Sequence, residues 1–315
     1  MNSTLLADNS EASLKKFLNS LPAVDEVGAK GRVEMLATRS IKTSSKNWAI
    51  DLAIRMVDLT TLEGADTPGK VKALCAKGIY PDPTDLSVPS VGAICVYNDM
   101  VKIARQALDA GGGKNIPVAA VSTAFPSGRA SMEVKIQDTK DAIINGASEI
   151  DMVIDRGAFL AGKLGFVFDQ IKAIKEVCGD EIHLKVILET GELVTLDNVR
   201  KASYLAMLAG ADFIKTSTGK VAPAATAPVV YVMLEAVRDF YKFTGNRIGV
   251  KPAGGIRNTK DAIKQLVLVN EIAGPEWLDP SLFRIGASAL LNDLLMQRMK
   301  MRDGYYASPN YVTLD

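Results

Sequence analysis

The fold of this chain is constrained most by four short apolar segments that each carry one ionisable residue and recur at nearly constant intervals. The four residues are Asp151, Lys185, Lys215 and Lys251. They are separated by 34, 30 and 36 residues (151 to 185, 185 to 215 and 215 to 251), about the length of one strand–helix–strand unit of roughly 30 residues or a little more. Charged side chains are rarely buried without a partner, so each of these residues is a candidate functional group.

Eight strand-like segments, each followed by a helical pattern, run along the chain. The strands are predicted within residues 50–62 and at residues 91–97, 117–125, 148–154, 183–189, 213–216, 248–251 and 282–285. Their near-continuous apolar runs are typical of a parallel sheet buried on both faces. Eight such units within about 250 residues predict a (β/α)₈ TIM barrel rather than an open doubly wound sheet, and no GxGxxG motif follows the first strand. In the helix after the third strand, Met132, Ile136 and Ile143 are predicted to mark one face.

The barrel is predicted to span residues 46–302, between two flanking segments. Residues 1–45 are polar and carry no strand signal, and they predict an N-terminal helical extension with short helices at 13–18 and 25–36. We expect this extension to cap one end of the barrel, with a regulatory or oligomer-forming arm as the alternative. Residues 303–315 are interpreted as a C-terminal tail.

Composition argues against several functional classes. The formal net charge is +1, without a dense basic run, so nucleic acid is not expected as a partner. The three cysteines are odd in number and have no C-x-x-C spacing, which predicts neither a disulfide framework nor a zinc knuckle and favours the cytoplasm. The N-terminus lacks a basic segment followed by an apolar one, and no run reaches about 18 apolar residues, so neither secretion nor a membrane span is expected.

Three lysines and an aspartate in one pocket suit carbonyl chemistry. The carboxyl ends of barrel strands share one mouth, where these four side chains should converge. A neutral lysine amine attacks an aldehyde or ketone, and the resulting protonated imine accepts electrons while a carbon–carbon bond is made or broken. A second cationic lysine favours the neutral amine by like-charge repulsion, and Lys251 could do this for Lys215. Asp151 supplies a carboxylate for general acid or base catalysis.

Other interpretations of the same residues stay open. Each lysine could instead extend to solvent at the end of its strand or pair with a carboxylate such as Glu189 or Asp151. Zinc is another way to stabilise an enolate, but catalytic zinc sites usually use several histidines or a Cys/His mixture. This chain has only His183, which is expected to be structural. We therefore expect a lysine in place of a metal, and no cofactor.

Glycines at three consecutive strand ends predict a phosphate site. Gly254-Gly255 follows the seventh strand, Gly286-Ala-Ser288 follows the eighth, and Gly219-Lys220 follows the sixth. Barrel enzymes often bind phosphate with the loops after strands seven and eight and a short helix N-terminus. Turns use Gly-Gly freely, so the prediction depends on the three sites together.

Seven motifs along residues 50 to 295 together identify a family resemblance. They are Asp58-Leu-Thr-Thr-Leu, Ala93-Ile-Cys-Val-Tyr, Glu149-Ile-Asp-Met-Val-Ile, Leu184-Lys-Val-Ile-Leu-Glu-Thr-Gly-Glu-Leu, Phe213-Ile-Lys-Thr-Ser-Thr-Gly-Lys, Lys251-Pro-Ala-Gly-Gly-Ile-Arg and Phe283-Arg-Ile-Gly-Ala-Ser. In this order they resemble the deoxyribose-phosphate aldolase family, whose members are class I (Schiff-base) aldolases. The resemblance implies a TIM barrel and a carbon–carbon lyase that cleaves 2-deoxy-D-ribose 5-phosphate reversibly to D-glyceraldehyde 3-phosphate and acetaldehyde, in deoxyribonucleoside catabolism.

The resemblance also implies roles for individual residues. Lys215 matches the Schiff-base nucleophile, Lys251 the lysine that perturbs it and transfers protons, and Asp151 the carboxylate that works with an ordered water as acid and base. By the same resemblance, Lys185 and Asp58 support the pocket, Cys95 lies beside the aldehyde, and Gly219, Lys220, Gly254, Gly255, Gly286 and Ser288 bind the substrate phosphate. The expected partners are a small phosphosugar and acetaldehyde, and the sequence is compatible with a homo-oligomer.

The chain departs from the family pattern at two places. Ala289 stands where many members have a second serine, so one hydroxyl contact to phosphate is expected to be missing. Many members end in a tyrosine implicated in proton transfer, whereas this chain ends in Asp315, with Tyr305, Tyr306 and Tyr311 upstream. Two other functions stay open: a different Schiff-base aldolase, such as a transaldolase-like enzyme, and a phosphosugar sensor without catalysis.

Overall fold

The computed structural model describes residues 8–308 and residue 312, and its centre is a barrel of eight parallel strands. The strands are β1 (Val57–Thr60), β2 (Ala93–Tyr97), β3 (Val118–Ser122), β4 (Glu149–Val153), β5 (His183–Ile187), β6 (Phe213–Lys215), β7 (Gly249–Lys251) and β8 (Ile285–Ala287). They pair in the order β7-β6-β5-β4-β3-β2-β1-β8. Parallel bridges join Val250 to Phe283 and Ala253 to Gly286, so the two edges of the sheet meet. The predicted (β/α)₈ TIM barrel is confirmed.

Helices surround the barrel and precede it. They are α1 (Glu11–Ser20), α2 (Glu26–Ala37), α3 (Thr43–Met56), α4 (Pro68–Ile79), α5 (Val101–Gly111), α6 (Met132–Ile144), α7 (Arg156–Leu160), α8 (Leu164–Cys178), α9 (Leu196–Leu208), α10 (Ala227–Thr244), α11 (Thr259–Ile272) and α12 (Leu290–Asp303). Short 3₁₀ turns lie at Asn98–Met100, Thr190–Glu192 and Pro275–Trp277. None of the helices described is both long enough and apolar enough to cross a lipid bilayer.

Several helices begin at the residues that the sequence indicates. The Thr67 hydroxyl accepts a hydrogen bond from the Lys70 backbone N–H, and Pro68 occupies the first position of α4. The Asn258 side chain accepts from the Asp261 N–H at the start of α11. Both caps satisfy an N–H group that the first turn of a helix leaves without an intrahelical partner.

The N-terminal helices pack on the outer helical layer. The helices α1 and α2 are the two predicted from the sequence, with slightly longer bounds. The α1 helix contacts α8 and α9, whereas α2 contacts α10 and α11. The Asp197 carboxylate accepts a hydrogen bond from the Val24 N–H at 2.7 Å, which ties the segment between these helices to the start of α9.

The observed strands are shorter than predicted, and the first and the eighth differ most from their predicted bounds. Residues 50–56 belong to the buried helix α3, and only Val57–Thr60 extends as the first strand. A buried helix and a buried strand both read as short apolar runs, so hydrophobic pattern alone does not separate them. The eighth strand is shifted to Ile285–Ala287, because Phe283 makes only an isolated bridge to Val250.

The most deeply buried residues of α6 are not the apolar ones that the sequence marks. Lys135, Thr139 and Ala142 are fully buried, whereas Met132, Ile136 and Ile143 are partly buried and pack against the core. The Lys135 ammonium donates to the Gln170 side-chain oxygen at 2.9 Å, and the Thr139 hydroxyl lies 2.8 Å from the hydroxyl of Ser122. Polar side chains are buried when they are hydrogen-bonded, a condition that an apolar pattern does not reveal.

Candidate active site

Seven charged side chains lie buried inside the barrel. Side chains two positions apart on a strand point to the same side, so Glu149 and Asp151 both face the interior from β4. The group consists of Asp58, Glu149, Asp151, Lys185, Lys215, Lys251 and Arg284, all at most 6 % exposed. Arg284 reaches Glu149 from the segment leading into β8, on the opposite side of the barrel from β4. The four ionisable residues with regular spacing therefore do converge.

The register of the sheet places the key residues side by side. Lys215 on β6 is directly paired with Lys251 on β7, and Asp151 on β4 is directly paired with Lys185 on β5. Directly paired residues on neighbouring parallel strands point to the same face of the sheet, so each pair projects its side chains into the barrel interior. The carboxylate of Asp151 then lies within reach of lysines from three strands.

Six of the seven side chains form a closed ring in which positive and negative charges alternate, which we call the charge ring. Going around it, Lys251 contacts Asp58 at 2.5 Å, Asp58 contacts Arg284 at 2.7 Å, Arg284 contacts Glu149 at 3.1 Å, Glu149 contacts Lys185 at 2.5 Å, Lys185 contacts Asp151 at 3.2 Å, and Asp151 contacts Lys251 at 2.7 Å. Buried charges are costly unless they are paired, and here every member has two opposite charges as neighbours. The ring is neutral when all six groups are ionised.

Lys215 is attached to this ring at one point. Its ammonium nitrogen lies 2.7 Å from Oδ2 of Asp151, the same oxygen that Lys251 contacts at 2.7 Å. The two lysine nitrogens are therefore at most twice that distance apart. Lys215 is 2 % exposed, so both amines lie in the barrel rather than in bulk solvent.

The ring stabilises the charged forms of its members. Burial raises the pKa of Asp151, but the three surrounding lysines lower it by more, so it lies well below its usual range. Burial lowers the pKa of Lys251, but Asp151 and Asp58 raise it by more, so it lies well above its usual range. At neutral pH Asp151 is consequently a carboxylate and Lys251 a cation.

Cys95 forms part of an apolar wall beside these charges. It is fully buried in a small cluster with Leu62, Ala119 and Val121. Burial raises the pKa of the Cys95 thiol, and the nearby Lys251 partly opposes this. The thiol is therefore protonated at neutral pH and offers an apolar surface to anything bound next to it.

The three glycine-containing strand ends meet at the carboxyl end of the barrel. Gly219, Gly254 and Gly255 have φ angles of +81°, +79° and +90°, which favour glycine. A Cβ on Gly254 would lie 2.7 Å from the Ala224 Cβ, and a Cβ on Gly286 would lie 3.3 Å from Cε of Lys251. The absence of these side chains allows the loops to approach one another and the charged cluster closely.

Ser288 and the start of α12 lie next to these loops. Ser288 is exposed, and no side chain caps the first turn of α12, which follows Ala289. Uncapped backbone N–H groups at a helix start favour an anion. Lys220 extends across the mouth and pairs with Glu63 at 2.9 Å, with 31 % of its side chain exposed. The six residues predicted to bind phosphate thus lie on loops and strand ends at one side of the barrel mouth.

Sequence reasoning missed two members of the charge ring and one supporting carboxylate. Glu149 lies two residues before Asp151, and Arg284 lies two residues before Gly286. Residues two positions apart on a strand point to the same side, and this spacing was the available signal. Glu189 is fully buried with a positive φ of 53°, and its carboxylate accepts from the Thr218 hydroxyl at 2.5 Å. We found no local signal for that contact, because it joins two different loops.

The alternative interpretations of the lysines are partly correct. Each strand lysine does pair with a carboxylate, but none of the three extends into solvent. Glu189 contacts Thr218 rather than a strand lysine. His183 is the first residue of β5, whereas Lys215 is the last residue of β6. The His183 side chain is 49 % exposed and lies 3.9 Å from Glu149.

The described tyrosines of the C-terminal segment lie on the surface. Tyr305 and Tyr306 are 70 % and 62 % exposed, and the Lys300 ammonium lies 3.7 Å from the centre of the Tyr306 ring. Tyr311 and Asp315 lie outside the described residues. Within the described ranges, no three His, Cys, Asp or Glu side chains form a group that could hold a metal ion.

Comparisons with known proteins agree on one family. The sequence pattern of the DeoC/LacD family aldolases matches residues 52–295. The deoxyribose-phosphate aldolase of Homo sapiens is 46 % identical over 88 % of this chain and 89 % of its own length, and that of Mus musculus is 46 % identical over 87 % and 88 %. Among solved structures, one described as QR15, an aldolase, is 29 % identical with a TM-score of 0.61, covering 78 % of this chain and 97 % of its own.

Proposed function

The chain belongs to the DeoC/LacD family of aldolases, and we propose that it cleaves 2-deoxy-D-ribose 5-phosphate reversibly to D-glyceraldehyde 3-phosphate and acetaldehyde. The relatives that are 46 % identical over most of the chain carry the name of this activity. The observation that carries the proposal is the placement of Lys215 and Lys251 on one oxygen of Asp151 inside the barrel. An amine, a fixed cation and a carboxylate at contact distance are the groups that Schiff-base chemistry requires.

Charge balance supports Lys215 as the nucleophile. The charge ring is neutral without it, so a proton lost from Lys215 leaves the buried cluster neutral. A proton lost from Lys251 would instead leave Asp58 with one cation fewer and place the remaining charge on Lys215. Buried charge without compensation is expensive, and Lys215 is therefore the amine that becomes neutral and attacks a carbonyl.

The proposed reaction starts at C1 of the open-chain sugar. The Lys215 amine adds to the aldehyde, and loss of water forms a protonated imine. A base removes the proton of the C3 hydroxyl, the C2–C3 bond breaks, and its electron pair moves toward the imine nitrogen to form an enamine. Glyceraldehyde 3-phosphate leaves, C2 takes up a proton, and water hydrolyses the imine to release acetaldehyde and the free amine.

Asp151 and Lys251 have complementary roles in these proton transfers. Asp151 is a carboxylate that already touches the Lys215 nitrogen, so it can accept a proton from the adding amine and return it to the hydroxyl that leaves as water. Lys251 stays cationic and holds Asp151 in place from the other side. Lys185 and Asp58 support this arrangement as neighbours in the ring, and Cys95 borders the two-carbon fragment.

We propose that the substrate phosphate binds at the glycine loops. Gly219, Gly254, Gly255 and Gly286 allow the backbone to approach the anion, while Lys220, Ser288 and the start of α12 supply a charge, a hydroxyl and free N–H groups. Lys220 would exchange its exposed partner Glu63 for the phosphate. Ala289 provides no hydroxyl, so the phosphate has one side-chain donor fewer on this chain than on many members.

Reductive trapping tests the function directly. Incubation with acetaldehyde and sodium borohydride should attach an ethyl group to Lys215, located by peptide mapping, whereas dihydroxyacetone should leave little adduct. EDTA should not change the rate, because the protonated imine accepts the electrons. An adduct on Lys185, or a stable adduct with dihydroxyacetone alone, would argue for a different aldolase. No adduct would favour a phosphosugar sensor.

We also propose a cytoplasmic location. Cys75, Cys95 and Cys178 are all buried and unpaired, as is usual where thiols are kept reduced. Cell fractionation tests this, and recovery of the chain with a secreted or membrane fraction would contradict it.

A further inference from the structure

We propose that Glu149 and Arg284 are positioning residues that set the reactivity of Lys215 through the charge ring. This inference rests on the proposed Schiff-base function. Among the contacts of the described residues, neither side chain touches Lys215. Each acts through a neighbour: Arg284 through Asp58 and Lys251, and Glu149 through Lys185 and Asp151.

Arg284 connects carboxylates from two strands that are not neighbours in the sheet. One terminal nitrogen lies 2.7 Å from Asp58 on β1, and the other lies 3.1 Å from Glu149 on β4. Its Nε also donates to the backbone oxygen of Pro280, so the planar guanidinium is held at three positions. A lysine ammonium is a compact charge on a flexible stem, and it lacks this fork of donors.

Glu149 connects Arg284 to the lysine of the next strand. Its Oε2 accepts from Lys185 at 2.5 Å, and its Oε1 faces Arg284. Lys185 in turn lies 3.2 Å from Oδ1 of Asp151. Glu149 therefore limits how strongly Lys185 can draw the Asp151 carboxylate away from Lys215.

The charge at Lys215 depends on the groups packed around it and on their neighbours. These groups are Asp151 on β4, Lys251 on β7, Lys185 on β5, Asp58 on β1, the Cys95 thiol on β2, and behind them Glu149 on β4, Arg284 before β8 and His183 at the start of β5. Removing Glu149 leaves the ring with one positive charge in excess, which favours the neutral amine of Lys215. Removing Arg284 leaves one negative charge in excess, which favours the ammonium.

The test compares wild type and variants by the acidic limb of the pH dependence of kcat/KM. This limb reports the pKa values of essential groups in the free enzyme. Glu149→Gln should move this limb to lower pH and Arg284→Met to higher pH, each by about one pH unit for a unit charge at a separation on the order of 10 Å in a buried site. The double variant Glu149→Gln/Arg284→Met should return to the wild-type position. If the two side chains only supported the fold, removing one and then the other would not shift the limb in opposite directions.

Two further variants keep the test decisive if a single charge deletion prevents folding. Arg284→Lys keeps the charge but cannot bridge both carboxylates, so kcat should fall at least about tenfold while the acidic limb stays in place. Lys135→Met removes a buried lysine that lies outside the barrel, next to Gln170, and should leave the limb unchanged. Wild-type kcat in Arg284→Lys, or shifts of equal sign in the two deletions, would overturn the inference.

Trapping with acetaldehyde and borohydride separates this inference from the proposed function. If wild type forms the Lys215 adduct but the variants show no opposite shifts, only the positioning role is wrong. If wild type forms no adduct on Lys215, the proposed function fails and the positioning role fails with it.

Discussion

Lys215 and Lys251 are paired directly across β6 and β7, and both side-chain nitrogens lie 2.7 Å from the same carboxylate oxygen of Asp151. Two cations on one oxygen repel each other, and the low dielectric of the barrel strengthens that repulsion. Lys251 has Asp58 as a second partner at 2.5 Å. Lys251 thus contacts two carboxylates, whereas Lys215 contacts one.

The nucleophile is the first testable assignment. Lys215→Ala should abolish cleavage of 2-deoxy-D-ribose 5-phosphate, because the imine cannot form. The circular dichroism spectrum and the melting temperature should stay close to those of wild type, since the ring keeps its six members. Lys220→Ala is the matched control: it should retain the trapped adduct on Lys215. Measurable cleavage by Lys215→Ala in a coupled assay for glyceraldehyde 3-phosphate would contradict the assignment.

The role of Lys251 as a fixed cation is the second assignment that can be tested. Lys251→Leu replaces the fixed cation beside Asp151 with an apolar side chain, and kcat should fall by roughly 10²- to 10³-fold, the range for a lost electrostatic contact in a buried active site. Trapping of acetaldehyde on Lys215 should become slower rather than disappear. Stopped-time borohydride trapping measures this rate. A kcat within a few-fold of wild type would show that Lys251 is not needed in the reaction.

Asp151 should be essential to stability as well as activity. Asp151→Asn removes the shared partner of three buried lysines, and loss of one side of a buried ion pair typically costs about 3–5 kcal/mol. Urea unfolding should reveal a loss of this order. Asp155→Asn is a suitable control, because Asp155 caps α7 by accepting from the Ala158 N–H and asparagine caps a helix about as well as aspartate. Equal stability of the two variants would contradict the importance of the ring.

The carboxylates of the ring predict that the fold is sensitive to acid. Burial raises the pKa of Asp151 and its lysines lower it by more, so the folded pKa lies below the unfolded value of about 3.9. Such a group stabilises the fold above its unfolded pKa, and that stabilisation is lost as pH falls toward the folded pKa. Lys251, whose pKa is raised, loses its contribution only above about pH 10.

The free energy of unfolding should therefore be nearly constant from about pH 6 to 9 and should fall below about pH 4. Urea unfolding at a series of pH values measures this dependence. In Asp151→Asn the decrease in acid should be smaller, because one of the depressed carboxyl groups is gone. Constant stability of wild type down to pH 3 would refute the explanation.

Glu189 should control phosphate binding rather than the chemical step. Its carboxylate accepts from the hydroxyl and the N–H of Thr218, and the Thr218 hydroxyl accepts from the Lys220 N–H at 3.1 Å. Glu189→Ala should loosen this turn and raise KM for 2-deoxy-D-ribose 5-phosphate roughly tenfold, since a hydrogen bond to a charged group is worth about 1.5–3 kcal/mol. With unphosphorylated 2-deoxy-D-ribose, the variant and wild type should differ little. Equal losses with both sugars would contradict the proposal.

The order of strands and helices in the barrel could be predicted because it follows from local properties of the chain. Apolar runs, helix caps and glycine turns recur at a regular interval, so the strand count and the strand that carries each of Asp151, Lys185, Lys215 and Lys251 could be assigned. The first strand was located only within residues 50–62, because α3 ends in an apolar run that a strand would also show. Helix and strand differ there only in what they pack against.

The sequence by itself thus determined the architecture and the four ionisable residues that point into it. Only the tertiary structure decided which charges touch, how Arg284 and Glu149 close the ring, and that Lys215 alone stands outside it. Several of these contacts join residues more than a hundred positions apart, such as Asp58 and Arg284. They depend on the stagger of the strands and on the width of the closed barrel, and no local pattern of residues contains either quantity.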